Sequence, residues 1–142
     1  MGVTAELKKN TVGLQIDVES INTFERIGGV LAIITGIVHL YLYWETGFAP
    51  FLLAGLGFIG AVGLLFTTFS RRLLYAIGIP YIGIQILLWI AFGMQNLVLG
   101  VFDKSVQILL VGLLIALLLV ELEIDFILEF SAWFDEDQRG DE

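Results

Sequence analysis

Four side chains stand out because they can hydrogen-bond or titrate inside stretches that are otherwise almost wholly apolar: His39, Gln85, Trp89 and Gln107. An imidazole changes charge near neutral pH, so His39 could carry a proton or help to hold a ligand. Its nearest carboxylate along the chain is Glu45, six residues on and not on the same helical face. The amides of Gln85 and Gln107 offer hydrogen bonds alone. A site built from His39, Gln85 and Gln107 beside Pro80 would make the chain a small transporter or channel subunit with a polar site in the outer half of the bundle. The plainer reading makes the same groups glue between helices, worth about 0.6 kcal/mol each, and it is preferred. Convergence on a water-filled cavity would favour transport, and dry packing would favour glue.

Other chemistry is short of parts. The chain has no cysteine, which removes thiolate metal sites, disulfides and a cysteine nucleophile. One histidine cannot give the two axial nitrogens of a bis-histidine haem. Zinc would need carboxylates beside His39 that the apolar stretches lack. Ser70 and Ser105 sit at stretch ends, away from any nucleophile elbow. The glycines of Ala54-Gly55-Leu56-Gly57-Phe58-Ile59-Gly60 fit a GxGxxG string without its strand–turn–helix setting. No catalytic residue, metal site or cofactor is expected, and the chain is read as a non-enzyme.

What must position these side chains is set by where charge is missing. Of 142 residues, 58% are hydrophobic and 15% charged, far from the roughly 25% charged of a soluble domain. Charge-free runs of 18, 25, 30 and 16 residues separate Arg26, Glu45, Arg71–Arg72, Asp103–Lys104 and Glu121. A crossing helix needs about 20 apolar residues. The runs predict an all-α bundle of four transmembrane helices over about 23–44, 50–69, 72–95 and 103–120. Residues 1–22 form a cytoplasmic N-terminal arm and 121–142 an acidic cytoplasmic extension. The lipid bilayer is the first partner. The last span is short and reaches across only with Asp103 and Lys104 in one headgroup layer and Glu121 in the other.

Basic residues orient the bundle. Lys8, Lys9, Arg26, Arg71 and Arg72 fall on one side and Lys104 on the other, which puts both termini in the cytoplasm of a multi-pass cell-membrane protein. Asn22 with Glu25 makes a capping box for the first span, and Ser70 caps the third. Asp103 is the expected cap of the fourth. Pro80 predicts a kink near Ala76–Ile77. Small residues predict close helix contact: Gly29 and Gly36 on the first span against Ala54, Gly57, Gly60 and Ala61 on the second.

The ends read differently. Val12, Leu14, Ile16 and Val18 alternate with polar residues or glycine, the period of a short strand, although a disordered or interfacial arm fits equally. Glu121, Asp125 and Glu129 make an acidic stripe on an amphipathic helix that reaches about Trp133, either continuing span four or lying along the interface. Disorder is expected beyond Phe134. Net charge is −8, with nine acids against Arg139 alone after Val120, so nucleic acid is excluded as a partner. Such an acidic, lysine-poor surface fits a salt-rich cytoplasm.

Gly36-Ile37-Val38-His39-Leu40-Tyr41, Phe51 to Gly57, Arg71-Arg72-Leu73-Leu74-Tyr75 with Gly78-Ile79-Pro80, Gln85 with Trp89, and Asp103-Lys104 with Gln107 resemble a family of small four-span haloarchaeal integral membrane proteins of unknown function. The resemblance covers about Ile27 to Val120 and implies habitat without activity. The leading expectation is a structural or accessory subunit that acts through helix contacts and its acidic tail. It forms a homo-oligomer or joins a membrane-protein partner.

Overall fold

The computed structural model describes residues 13–140 and places most of them in four helices: α1 Thr23–Thr46, α2 Ala49–Leu65, α3 Arg71–Ala91 and α4 Leu97–Gly140. Lys8, Lys9, Val12, Asp141 and Glu142 lie outside the described residues. The Asn22 carboxamide accepts from Glu25 N–H and the Glu25 carboxylate from Asn22 N–H, both at 2.9 Å, so the capping box starts α1 where expected. Gly47, in the left-handed region at φ 67°, ends it. Pro50 stands in the first turn of α2, and the Ser70 hydroxyl accepts from Leu73 N–H to start α3.

Neighbouring helices run antiparallel. Gly36 of α1 faces Gly55 of α2, and Gly29 faces Leu65; Gly78 of α3 faces Leu114 of α4, and Gln85 faces Gln107. Ala32, Phe58, Ile82 and Leu110, one from each helix, meet in the core. The close approach of α1 and α2 depends on missing side chains. A Cβ on Gly55 would stand 2.7 Å from the Leu40 side chain and 3.0 Å from the Gly36 carbonyl oxygen.

The polarity of the bundle is inside out. Between its polar ends α1 exposes Ile27, Val30, Ile33, Ile37, Tyr41 and Trp44, while its buried residues include Glu25, Thr35 and His39 among glycines, Ala32 and Val38. A water-soluble helix would show the reverse. Three of the helices are long and apolar enough to cross a membrane, and α2 adds 17 apolar residues, about 25 Å of rise. These are the marks of a membrane protein built as an all-α four-helix bundle.

The boundaries correct several expectations. The fourth helix begins at Leu97 rather than near 103, so Asp103 is not its cap but lies inside it. The 30-residue charge-free run before Asp103 exceeds what one span needs, and its surplus is the first turns of α4. The third ends at Ala91 rather than 95, because Gly93, Met94 and Asn96 all take positive φ and turn the chain. The second stops at Leu65 rather than 69, where the Thr67 hydroxyl donates to Leu64 O at 2.7 Å. Pro80 sits within α3, which stays helical through it.

Both flanks also differ from expectation. The alternating segment makes one antiparallel bridge, Ile16 to Thr67, pairing with the α2–α3 turn rather than forming a strand. Asp17 N–H donates to Phe66 O at 2.8 Å and Thr68 N–H to Gln15 O at 2.9 Å. Hydrogen bonds from Ser20 hold the Asp17 carboxyl below the usual carboxylate range. At the other end α4 continues without a break to Gly140, so the stretch beyond Phe134 is helix and not disordered. Between Gly112 and Gly140 there is neither glycine nor proline to stop it. Its 44 residues rise about 66 Å, roughly twice a bilayer's hydrocarbon thickness.

Candidate functional site

Thr35 and His39 stand one turn apart on the buried face of α1, twelve and sixteen residues from its start. Thr35 is thus at the middle of the helix, about 18 Å from either end. On α4 the spacing of Asp103, Lys104 and Gln107 turns all three toward α1 and α3, and Gln85 of α3 closes the group. Six polar side chains from three helices therefore meet at membrane depth.

Their bonds form one network. The Thr35 hydroxyl donates to Asp103 Oδ1 at 2.5 Å, and Lys104 Nζ donates to Asp103 Oδ2 at 2.8 Å and to Gln107 Oε1 at 3.0 Å. Gln107 Nε2 has Thr35 Oγ1 at 3.1 Å, with Gln85 Oε1 and Asp103 Oδ2 both at 3.2 Å, three acceptors for two hydrogens. His39 Nδ1 lies 2.9 Å from the Thr35 carbonyl oxygen, which can only accept, so this nitrogen carries the proton. The same atom is 3.8 Å from Asp103 Oδ1. Among the described residues Gln85 Nε2 is buried without a partner. Thr35 and Gln107 are 0% exposed and Lys104 7%.

Charge explains why this arrangement is tolerated. An unpaired carboxylate or ammonium in hydrocarbon is costly, whereas the Asp103–Lys104 pair is neutral, both carboxylate oxygens accept hydrogen bonds and the ammonium donates two. Removing either partner would strand the other. His39 and Asp103 are two donors a cation could use, but the Lys104 ammonium already occupies the same carboxylate and repels one. Among the described residues no three His, Asp or Glu side chains come together.

The structure thus brings together His39, Gln85 and Gln107 and sets Trp89 apart. The Trp89 indole N–H donates to Gln95 O at 3.0 Å and its ring packs on Gly100, closing the α3–α4 turn. Glu45 is exposed at the end of α1; the carboxylate beside His39 is Asp103. Sequence reasoning misses Asp103 and Lys104 because a charge beside an apolar stretch reads as its edge, and Thr35 because a lone threonine in a span reads as bonded to its own backbone. The i, i+4 pairs Thr35/His39 and Asp103/Gln107 carried the signal.

The small residues are shared out differently from the expected stripe. Gly29 and Gly36 face α2 as expected, but the α2 residues that meet them are Leu65 for Gly29 and Phe58, Ile59 and Gly55 for Gly36. Gly57 packs under the Tyr81 ring of α3, and the Tyr81 hydroxyl donates to Ala54 O at 2.9 Å. Ala61 lines a partly open cavity between the helices. Gly60 is exposed and has no neighbour within 4 Å among the described residues, so it packs nothing.

A second buried polar group lies at the end where α1 begins. Tyr75, 2% exposed, donates its hydroxyl to Glu25 Oε1. Arg71 Nη1 stands 3.4 Å from Glu25 Oε2, and its Nη2 donates to Ser20 Oγ at 3.0 Å. Further along, Arg72 pairs with Asp125 where α4 leaves the bundle. Beyond that pair Phe126, Phe130 and Trp133 stack in series, Phe134 meets Phe130 and Trp133 edge-on, and all four stay exposed. The chain matches no protein-family model, no curated protein and no solved structure.

Proposed function

We propose that this chain is a multi-pass protein of the cell membrane, with both termini cytoplasmic, that performs no catalysis and serves as a structural or accessory subunit. The observation that carries this reading is the closure of the mid-depth network. His39, Gln85 and Gln107 converge on Thr35, Asp103 and Lys104 and leave no room among them for a solute, since Thr35 and Gln107 are fully buried. A neutral, hydrogen-bonded network of this kind sets the register of α1, α3 and α4. The acidic stripe and aromatic face of α4 beyond Val120 give a partner somewhere to bind.

Orientation is supported by Arg26, Arg71 and Arg72 falling at one end of the bundle, with Lys8 and Lys9 preceding them in the sequence. The acidic composition and the strings around His39, Gly55, Pro80 and Gln107 support kinship with the haloarchaeal four-span family and a salt-rich cytoplasm. The lipid bilayer and either further copies or another membrane protein are the partners; nucleic acid is not.

Native mass spectrometry of the full chain from mild detergent tests the reading. Copies or a stoichiometric partner should stay bound and be lost when the residues after Glu121 are deleted. A bare monomer under both conditions contradicts it.

One observation favours the alternative, a small transporter or channel subunit. Asp103, Lys104 and His39 are three ionisable side chains buried together at mid-depth, and such groups inside a membrane mark ion or proton pathways.

A further inference from the structure

The seams of the bundle are not alike. Helix α1 lies close on α2 through Gly36 and Gly55, and Gln107 of α4 bonds to Thr35 of α1 and Gln85 of α3. Helices α2 and α3 touch where Gly57 lies under the Tyr81 ring. Between that contact and the turn at 66–70, a cavity of about 70 Å³ lies among the helices.

The floor of the cavity is buried and comes from Gly28, Gly29 and Ala32 of α1 and Leu110 of α4. Most of its half-buried lining is Ala61 and Val62 of α2 with Leu74, Gly78 and Tyr81 of α3. The mouth therefore lies in the α2–α3 seam. The exposed residues beside Ala61 and Val62 are Gly60 and Gly63, and those beside Leu74 and Gly78 are Leu73 and Ile77. All four are apolar, so the mouth gives onto hydrocarbon.

The walls limit what can fill the space. Glu25 and Tyr75 line the end nearest the start of α1, but they bond to each other, and the second Glu25 oxygen accepts from Asn22 N–H. The Tyr81 hydroxyl donates to Ala54 O. A buried water needs several polar partners, and these groups are already bonded. An apolar guest needs none.

We propose that this cavity is the seat of one hydrocarbon chain of a membrane lipid, inserted sideways between α2 and α3. The inference needs only the membrane fold and holds for either functional reading. Size agrees with it. An apolar cavity of about 150 Å³ holds a benzene ring, so roughly half that volume takes about three carbons of a chain. Depth agrees too. Glu25 and Ala32 are the third and tenth residues of α1, so the cavity lies about 3–14 Å from the start of that helix. Arg26, Arg71 and Arg72 fall at the same end, where headgroups lie, and the lipid belongs to that leaflet. Left empty, the lining would forfeit its contacts across the gap. The chain restores them and joins the two helices that pack least closely.

The full chain in phosphatidylcholine liposomes tests this, with part of the lipid carrying a light-activated diazirine midway along one acyl chain. Peptide mass spectrometry after illumination should find Ala61, Val62, Leu74 and Gly78 labelled about fivefold more heavily than Val30 and Ile115. Those two are exposed to the bilayer at the same depth, away from the mouth. Ala61→Leu adds about as many carbons as the space admits and should cut labelling of the seam about fivefold, with Val30 unchanged. Leu74→Phe fills the space from α3 and should do the same. Elution position and helicity show which variants are folded. Seam labelling no heavier than that of Val30 and Ile115 overturns the proposal, and so does heavy seam labelling that persists in either folded variant.

Discussion

The two halves of α4 obey opposite rules. From Leu97 to Val120 its only charges, Asp103 and Lys104, point inward, while Val98, Phe102, Ile108 and Leu109 point outward. From Glu121 to Gly140 the acids are at the surface, and so are Phe126 at 69% exposure and Trp133 at 59%. One continuous helix thus changes its inside and outside when it leaves its neighbours. Inside the bundle Asp103 and Lys104 neutralise each other, Thr35 of α1 and Gln107 hydrogen-bond them, and apolar side chains can face hydrocarbon at no cost. Beyond the bundle, Arg72 is the one basic side chain that reaches the acidic stripe among the described residues. The burial of charge is decided by the availability of partners.

That contrast is easiest to break at Asp103. Asp103→Leu leaves Lys104 buried and unpaired, and should cost about 3–5 kcal/mol of stability in detergent, read by thermal or denaturant unfolding. Adding Lys104→Met should restore most of the loss. A single variant as stable as the parent would place the pair in water.

The other buried group sharpens the same point. Tyr75→Phe removes the donor to Glu25 and leaves a carboxylate oxygen short of a bond, for an expected loss of roughly 1.5–3 kcal/mol. Packing comes next. Gly55→Leu forces α1 and α2 apart at Gly36 and Leu40, and about 1–3 kcal/mol is expected, whereas Gly60→Leu should be close to neutral. Equal losses at the two glycines would mean that α2 presents a different face to α1.

The smallest effect belongs to the surface. Arg72→Ala breaks the pair with Asp125, whose side chains are 48% and 40% exposed, and should cost at most about 1 kcal/mol, fading with added salt. Helicity measured by circular dichroism should be unchanged, because α4 has neither glycine nor proline between Gly112 and Gly140.

The fold was legible because lipid imposes a crude rule. Long stretches without charge must be helices, and Asn22, Gly47, Pro50 and Ser70 mark where they begin or end. The same rule hid the site. Taking Asp103 and Lys104 as the edge of a span set them in the headgroups, although Thr35 and Gln107 were there to satisfy them a turn or two deeper. Whether a charge sits at an edge or in a core depends on residues far away in the chain, as with Thr35 and Asp103, 68 positions apart, and no local pattern reports that pairing. Glu25 shows the same limit. Its spacing from Asn22 announced the cap, while its bond to Tyr75 is made across 50 residues.

The link between Thr35 and Asp103 is where the structure is most exposed to test. A double-mutant cycle of Thr35→Val and Asp103→Asn in detergent measures it directly. A coupling of about 1 kcal/mol or more is predicted, within the roughly 0.5–3 kcal/mol of contacting pairs, and losses that add to within about 0.3 kcal/mol would contradict a network joining α1 to α4.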